Sequence, residues 1–153
     1  MSIKNVLSMS KATAAKCLPV PGRAFISIVE PKEERPSFEG WEHVLRLTFH
    51  DTDAHANGGQ TWAVNPLPEG NYTSFSIAHA DEIIKFLDNL PDDIVEVFVH
   101  CHAGISRSTA VARFIADKYY LKNFDYRYSL YNRRVYSMLR DINSTTAYTD
   151  YDS

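Results

Sequence analysis

Cysteine is scarce in this chain. Two residues in 153, Cys17 and Cys101, exclude a disulfide framework and point to a reducing compartment in which a lone thiol stays free. Positive charge is short as well: 16 Lys and Arg stand against 19 Asp and Glu, a formal net charge of −3. That gives no sign of the basic face that nucleic-acid or anionic-membrane binding favours. No apolar run reaches the length of a membrane span. The first residues, MSIKNVLSMSKATAAK, have no apolar core long enough for a secretory signal, and Lys4 interrupts what there is. These absences predict a soluble cytoplasmic protein with neither nucleic acid nor membrane as a partner. The length suits one domain over 1–153, and 44% hydrophobic against 23% charged residues is enough to bury a core.

What is present alternates between strand-like and helix-like stretches. Ser10 to Cys17 predicts a short helix, ended before Pro19. Ala24 to Val29 and Val95 to Val99 are short apolar runs that predict buried strands, and His43 to Phe49 alternates as a third. PKEERPSFEG is charged and Pro-containing and predicts a loop. From Phe75 to Leu90, Ile77, Ala80, Ile84 and Leu87 share a helical face joined by Ile83 and Phe86, with Ser74 or Ser76 as cap and Pro91 after the end. A second helix is predicted over Arg107–Tyr120, with Val111, Phe114, Ile115 and Tyr119 as its buried side. A last one spans Arg127–Ile142, with Tyr131, Val135, Met138, Leu139 and Ile142 in register. Residues 54–72 show no periodicity and read as an irregular insertion or lid, with Trp62 or Tyr72 as the covering side chain; 143–153 reads as a frayed polar tail. The alternation predicts an α/β fold: a central, largely parallel sheet flanked by helices.

One junction carries chemistry. VEVFVHCHAGISRSTAVARF runs from a strand through Cys101, His102, Ala103, Gly104, Ile105 and Ser106 to Arg107, which opens a helix. Ligands of open α/β sheets bind beyond the carboxyl ends of strands. A tight curl there, eased by Gly104, turns backbone N–H groups inward as an anion nest, and the helix end adds partial positive charge. The planar fork of Arg107 matches two phosphate oxygens. The same groups favour a thiolate at Cys101, since thiols beside cations and at helix N-termini ionise more readily. A thiolate beneath a bound phosphate is a nucleophile aimed at phosphorus. The Ser108 hydroxyl is suited to donate to the sulfur, and His100 to orient the loop backbone.

HCHAGISRS resembles the phosphate-binding loop of the protein tyrosine phosphatase superfamily, Cys-x5-Arg-Ser/Thr, most closely in its dual-specificity and compact branch. The specific match covers Val95 to about Ala116. The resemblance implies a phosphomonoester hydrolase that works through a phosphocysteine and needs no cofactor. It also implies a general acid, an Asp on a mobile loop after a different strand. VLRLTFHDTDAH offers Asp51, first after the strand, with Asp53 as close rival and Glu69 as a remote third. In most relatives the acid lies nearer the cysteine in sequence, so 54–72 is extra here. His50, His55, His100 and His102 lack a ligand spacing and have no cysteine pair beside them, which predicts no metal site. Asn132 resembles a polar residue that some relatives place near the site, but reads more simply as a surface Asn; Arg133 and Arg134 read as cleft cations or ordinary solvated ones.

Relatives that act on inositol phospholipids often carry lysines in this loop, and the large tyrosine phosphatases a Lys-Asn-Arg-Tyr wall of a deep phosphotyrosine pocket. This chain has neither, so the resemblance implies a shallower site and disfavours inositol phospholipids. The expected partner is therefore a phosphorylated protein or an aryl phosphate. Two other classes share the loop: a module that binds phosphate without cleaving it, and rhodanese-like or arsenate-reducing chemistry. Arsenate reduction needs further thiols, and Cys17 is the only other one.

Overall fold

The computed structural model describes residues 3–54, 61–63, 73–127 and 129–152; for 53, 54, 61–63 and 146–152 the description is of the backbone. The elements, in order, are β1 (Asn5–Met9), α1 (Lys11–Ala14), β2 (Arg23–Val29), β3 (Val44–Thr48), β4 (Thr52–Ala54), β5 (Thr61–Ala63), α2 (Ile77–Asp88), β6 (Glu96–His100), α3 (Arg107–Lys118) and α4 (Arg133–Asp152). Four strands form one parallel sheet in the order β1-β6-β2-β3, so the last strand in sequence is inserted between the first two. All four carboxyl ends therefore point the same way, and the segments that follow them meet at one edge.

The side-chain alternation of the central strands sorts the layers. Ala24, Ile26 and Ile28 of β2, with Val97 and Val99 of β6, face the main core, together with Ile83 of α2, Val111 and Ile115 of α3, and Val135 and Leu139 of α4. Phe25 and Phe98 point the opposite way, onto Ala14 of α1 and Phe38. Burial on both faces explains why β2 reads as an unbroken apolar run.

Capping fixes the helix starts. Ser76 accepts from the N–H of His79 and the Ser76 N–H is accepted by His79 Nδ1, a reciprocal pair that begins α2 at Ile77. Ile77 itself, assigned to the apolar face by its spacing, is 62% exposed; the burial falls to Ala80, Ile83, Ile84 and Leu87. Helix α4 starts at Arg133 rather than Arg127, because Asn132 Oδ1 accepts the Val135 N–H.

Three further expectations differ. β1 went unassigned in the sequence because Asn5 and Ser8 dilute its apolar pattern, as suits an edge strand that pairs with β6 alone. Within the stretch taken as irregular, β4 and β5 pair antiparallel, with Asp53 opposite Trp62. The Trp62 side chain, His55, Glu69, Tyr72 and the rest of the proposed lid, 55–60 and 64–72, lie outside the described residues. The polar tail is helical through Asp152: once 133–142 is packed, each further turn extends an existing helix, and Lys118 Nζ donates to Asn143 Oδ1 at 3.2 Å.

Candidate active site

A cleft of about 450 Å³ opens at the carboxyl edge of the sheet. Each strand end contributes to it: Lys11 follows β1, Glu30 and Glu33 follow β2, Asp51 follows β3, and the segment from Cys101 to Arg107 follows β6. Cys101 is 2% exposed. Its Sγ accepts from the Gly104 N–H at 3.3 Å and lies 3.2 Å from Ser108 Oγ. Gly104 has φ +76°, and a Cβ there would stand 2.5 Å from the Met9 carbonyl carbon. Only glycine lets this curl lie against the end of β1.

Arg107 is 4% exposed although it opens a helix. Nη1 donates to Phe49 O at 2.9 Å, Nη2 lies 4.0 Å from Glu30 Oε1, and no described residue accepts from Nε. A buried guanidinium with an unused donor is costly unless something binds it.

The remaining predicted residues fall into place around these two. His100 is fully buried, with Nδ1 donating to Cys101 O at 3.0 Å. Its Nε2, 2.6 Å from Ser27 Oγ, is therefore the acceptor, and Arg35 donates to that hydroxyl at 2.9 Å. The chain from Arg35 through Ser27 and His100 holds the start of the loop. His102 is exposed and donates from Nδ1 to Glu33 Oε2 at 3.0 Å, while Ala103, Ile105 and Ser106 line the cleft.

Asp51 lines the cleft too, and Asp51 Oδ1 accepts from Ser106 Oγ at 2.8 Å and from Asn132 Nδ2 at 2.7 Å. Asn132 is thus no surface residue. It is 1% exposed, and it also donates to Thr52 O and sends its N–H to Ser106 O. Its burial could not be inferred locally, because it depends on α4 docking behind the loop. The Asp53 side chain lies outside the described residues. Neither Arg133 nor Arg134 is among the residues lining the cleft: Arg133 stacks on Tyr131 and Arg134 donates to Phe75 O. Burial raises the Cys17 thiol above its ordinary pKa, with Arg23 opposing, and its sulfur lies against Thr13 O and Met9 Sδ.

No protein-family model matches the chain, and no curated protein matches it. The site is therefore read from its own atoms. Two residues that sequence reasoning passed over matter there. Ser8 Oγ lies 2.7 Å from Ser108 Oγ, and Thr109 Oγ1 donates to Gly104 O at 3.2 Å. When Cys101 is a thiolate, Ser108 donates to it and accepts from Ser8, so two hydroxyls line up behind the sulfur. Ser27 is a third; its role requires β2 beside β6, where it stands opposite His100.

The network also sets a pH dependence. Burial holds the pKa of His100 below the ordinary 6.5, partly opposed by its bond to Cys101 O, and burial does the same for His79. The unfolded chain therefore takes up protons as pH falls through about 6.5, while the folded chain does not. Stability contributed by the neutral imidazoles is complete above that pH and is lost below it. Tm should fall between about pH 7 and about pH 5.5, and His100→Gln should flatten that slope in a differential scanning series.

Proposed function

We propose that this chain is a cysteine-dependent phosphomonoester hydrolase of the protein tyrosine phosphatase type. The observation that carries this reading is the buried Arg107, whose Nε no described residue accepts from, lining the same cleft as the Cys101 thiol. The guanidinium suits the phosphate oxygens, and the sulfur lies beneath them.

In the first step the Cys101 sulfur, as thiolate, bonds to phosphorus as the bond from phosphorus to the leaving oxygen breaks. The leaving oxygen takes a proton from Asp51. Since Oδ1 already accepts from Ser106 and Asn132, that proton sits on Oδ2. In the second step Asp51 accepts a proton from water, the water oxygen bonds to phosphorus, and the sulfur leaves as thiolate with Ser108 donating to it. Inorganic phosphate is the product.

The test is p-nitrophenyl phosphate turnover by the native chain in EDTA and reductant. Turnover that persists there supports the reading, and failure to hydrolyse while still binding orthovanadate would shift it to a binding module. Ser8→Ala probes the second step. Removing the hydroxyl that supports Ser108 behind the sulfur should slow phosphocysteine breakdown about threefold to tenfold, the worth of one neutral hydrogen bond. A larger pre-steady-state burst of p-nitrophenol at unchanged Tm would separate that role from a structural one.

A further inference from the structure

A loop that binds an anion through its N–H groups must keep its carbonyl oxygens turned away. Four carbonyls of this loop have donors from outside it. Cys101 O accepts from His100 Nδ1 at 3.0 Å, His102 O from the Lys11 N–H at 3.1 Å, Gly104 O from Thr109 Oγ1 at 3.2 Å and Ser106 O from the Asn132 N–H at 3.0 Å. Two of these donors are backbone amides and one is a hydroxyl, and each always has a hydrogen to give. His100 is different. A neutral imidazole carries one proton, and it serves Cys101 O only while that proton is on Nδ1. With the proton on Nε2, two lone pairs would face each other across the same 3.0 Å.

What fixes the proton lies at the other nitrogen. His100 Nε2 is 2.6 Å from Ser27 Oγ, which stands opposite it where β2 pairs with β6. Arg35 Nη1 donates to that hydroxyl at 2.9 Å and to Ser27 O at 2.8 Å, and Nη2 donates to Leu47 O and Thr48 Oγ1, both at 3.2 Å. A guanidinium has no lone pair to offer, so the Ser27 hydrogen turns away from Arg35 and toward Nε2. That leaves Nδ1 as the protonated nitrogen. The Phe25 and Phe38 rings pack on the imidazole and give it no other acceptor. Arg35 joins none of the ion pairs among the described residues, and its four acceptors are all uncharged. Burial first, then Arg35 and Lys11, keep His100 from gaining a second proton, with the bond to Cys101 O and the Glu33 carboxylate opposing.

Resting on the phosphatase reading, we infer that Arg35 is a positioning residue for the phosphate loop: through Ser27 Oγ it fixes the His100 proton on Nδ1 and so keeps the Cys101 carbonyl out of the anion nest. Arg35 is not among the residues that line the cleft, and it reaches a bound anion through this relay.

The experiment reads the proton itself, by nitrogen NMR of the chain labelled at histidine, with His100 assigned by its loss in His100→Gln. The native chain should show Nδ1 protonated and Nε2 bare from about pH 8 down to about pH 6, where an ordinary imidazole has begun to titrate. Arg35→Met should add a form with the proton on Nε2 or on both nitrogens. Its kcat/KM for p-nitrophenyl phosphate should fall, and its Kd for orthovanadate rise, about threefold to tenfold, the worth of one hydrogen bond. Ser27→Ala removes only the hydroxyl between the two and leaves Arg35 its bonds to Ser27 O, Leu47 O and Thr48 Oγ1. It should act in the same direction, and it decides the matter if Arg35→Met does not fold. A native ring protonated on Nε2, or ring signals that neither variant moves, would overturn the inference even where turnover falls; Arg35 would then only tie β2 to β3. The ring signals need no substrate. A native chain that shows them but never hydrolyses p-nitrophenyl phosphate fails the phosphatase reading alone, and orthovanadate binding still tests the relay.

Discussion

Cys101→Ser should lose at least about 10⁴-fold in kcat for p-nitrophenyl phosphate and keep its Tm, because removing a nucleophile abolishes the covalent route without touching the core. The thiol contributes little packing that an oxygen cannot replace. Its neighbours, the Gly104 N–H and Ser108 Oγ, bond to a hydroxyl as readily as to sulfur. What is lost is the sulfur nucleophile. A serine hydroxyl attacks only if a base takes its proton, and among the described residues no imidazole or carboxylate hydrogen-bonds to this position. The variant should still bind orthovanadate, since Arg107 and the loop are intact. Residual turnover near the native level, checked by mass spectrometry to exclude misincorporated cysteine, would rule out the proposed mechanism.

The parts of this site that the sequence revealed are those built from contiguous residues. Strand β6, the curl from Cys101 to Ser106 and the start of α3 follow one another, so spacing alone carried the geometry. Gly104 was recognisable for its backbone freedom, but the need for it comes from Met9, which only the pairing of β1 with β6 brings near. The same pairing delivers Ser8 to Ser108 across a separation of 100 residues. Ser27, Arg35 and Asn132 are likewise polar residues whose use depends on tertiary neighbours. A polar side chain in a strand or at a helix start has many ordinary explanations, and periodicity does not distinguish among them. β1 shows the same limit on the side of the fold. Its two polar residues break the alternation, yet one of them, Ser8, is there because it faces the loop rather than the core. The longer α4 is a different case: a helix already packed at Val135 and Leu139 extends into a segment with no apolar pattern of its own.

Asp51→Asn should lower kcat about 10²-fold for phenyl phosphate and phosphotyrosine, and much less for p-nitrophenyl phosphate, because a proton donor matters in proportion to the basicity of the leaving oxygen. The asparagine occupies the same volume, and its side-chain oxygen can still accept from Ser106 and Asn132, so the loop stays anchored. Only the proton on the second oxygen is removed. If Asp51→Asn leaves every leaving group equally affected, Asp51 anchors the loop and the proton comes from Asp53, which the companion Asp53→Asn series would reveal by a steep leaving-group dependence of its own.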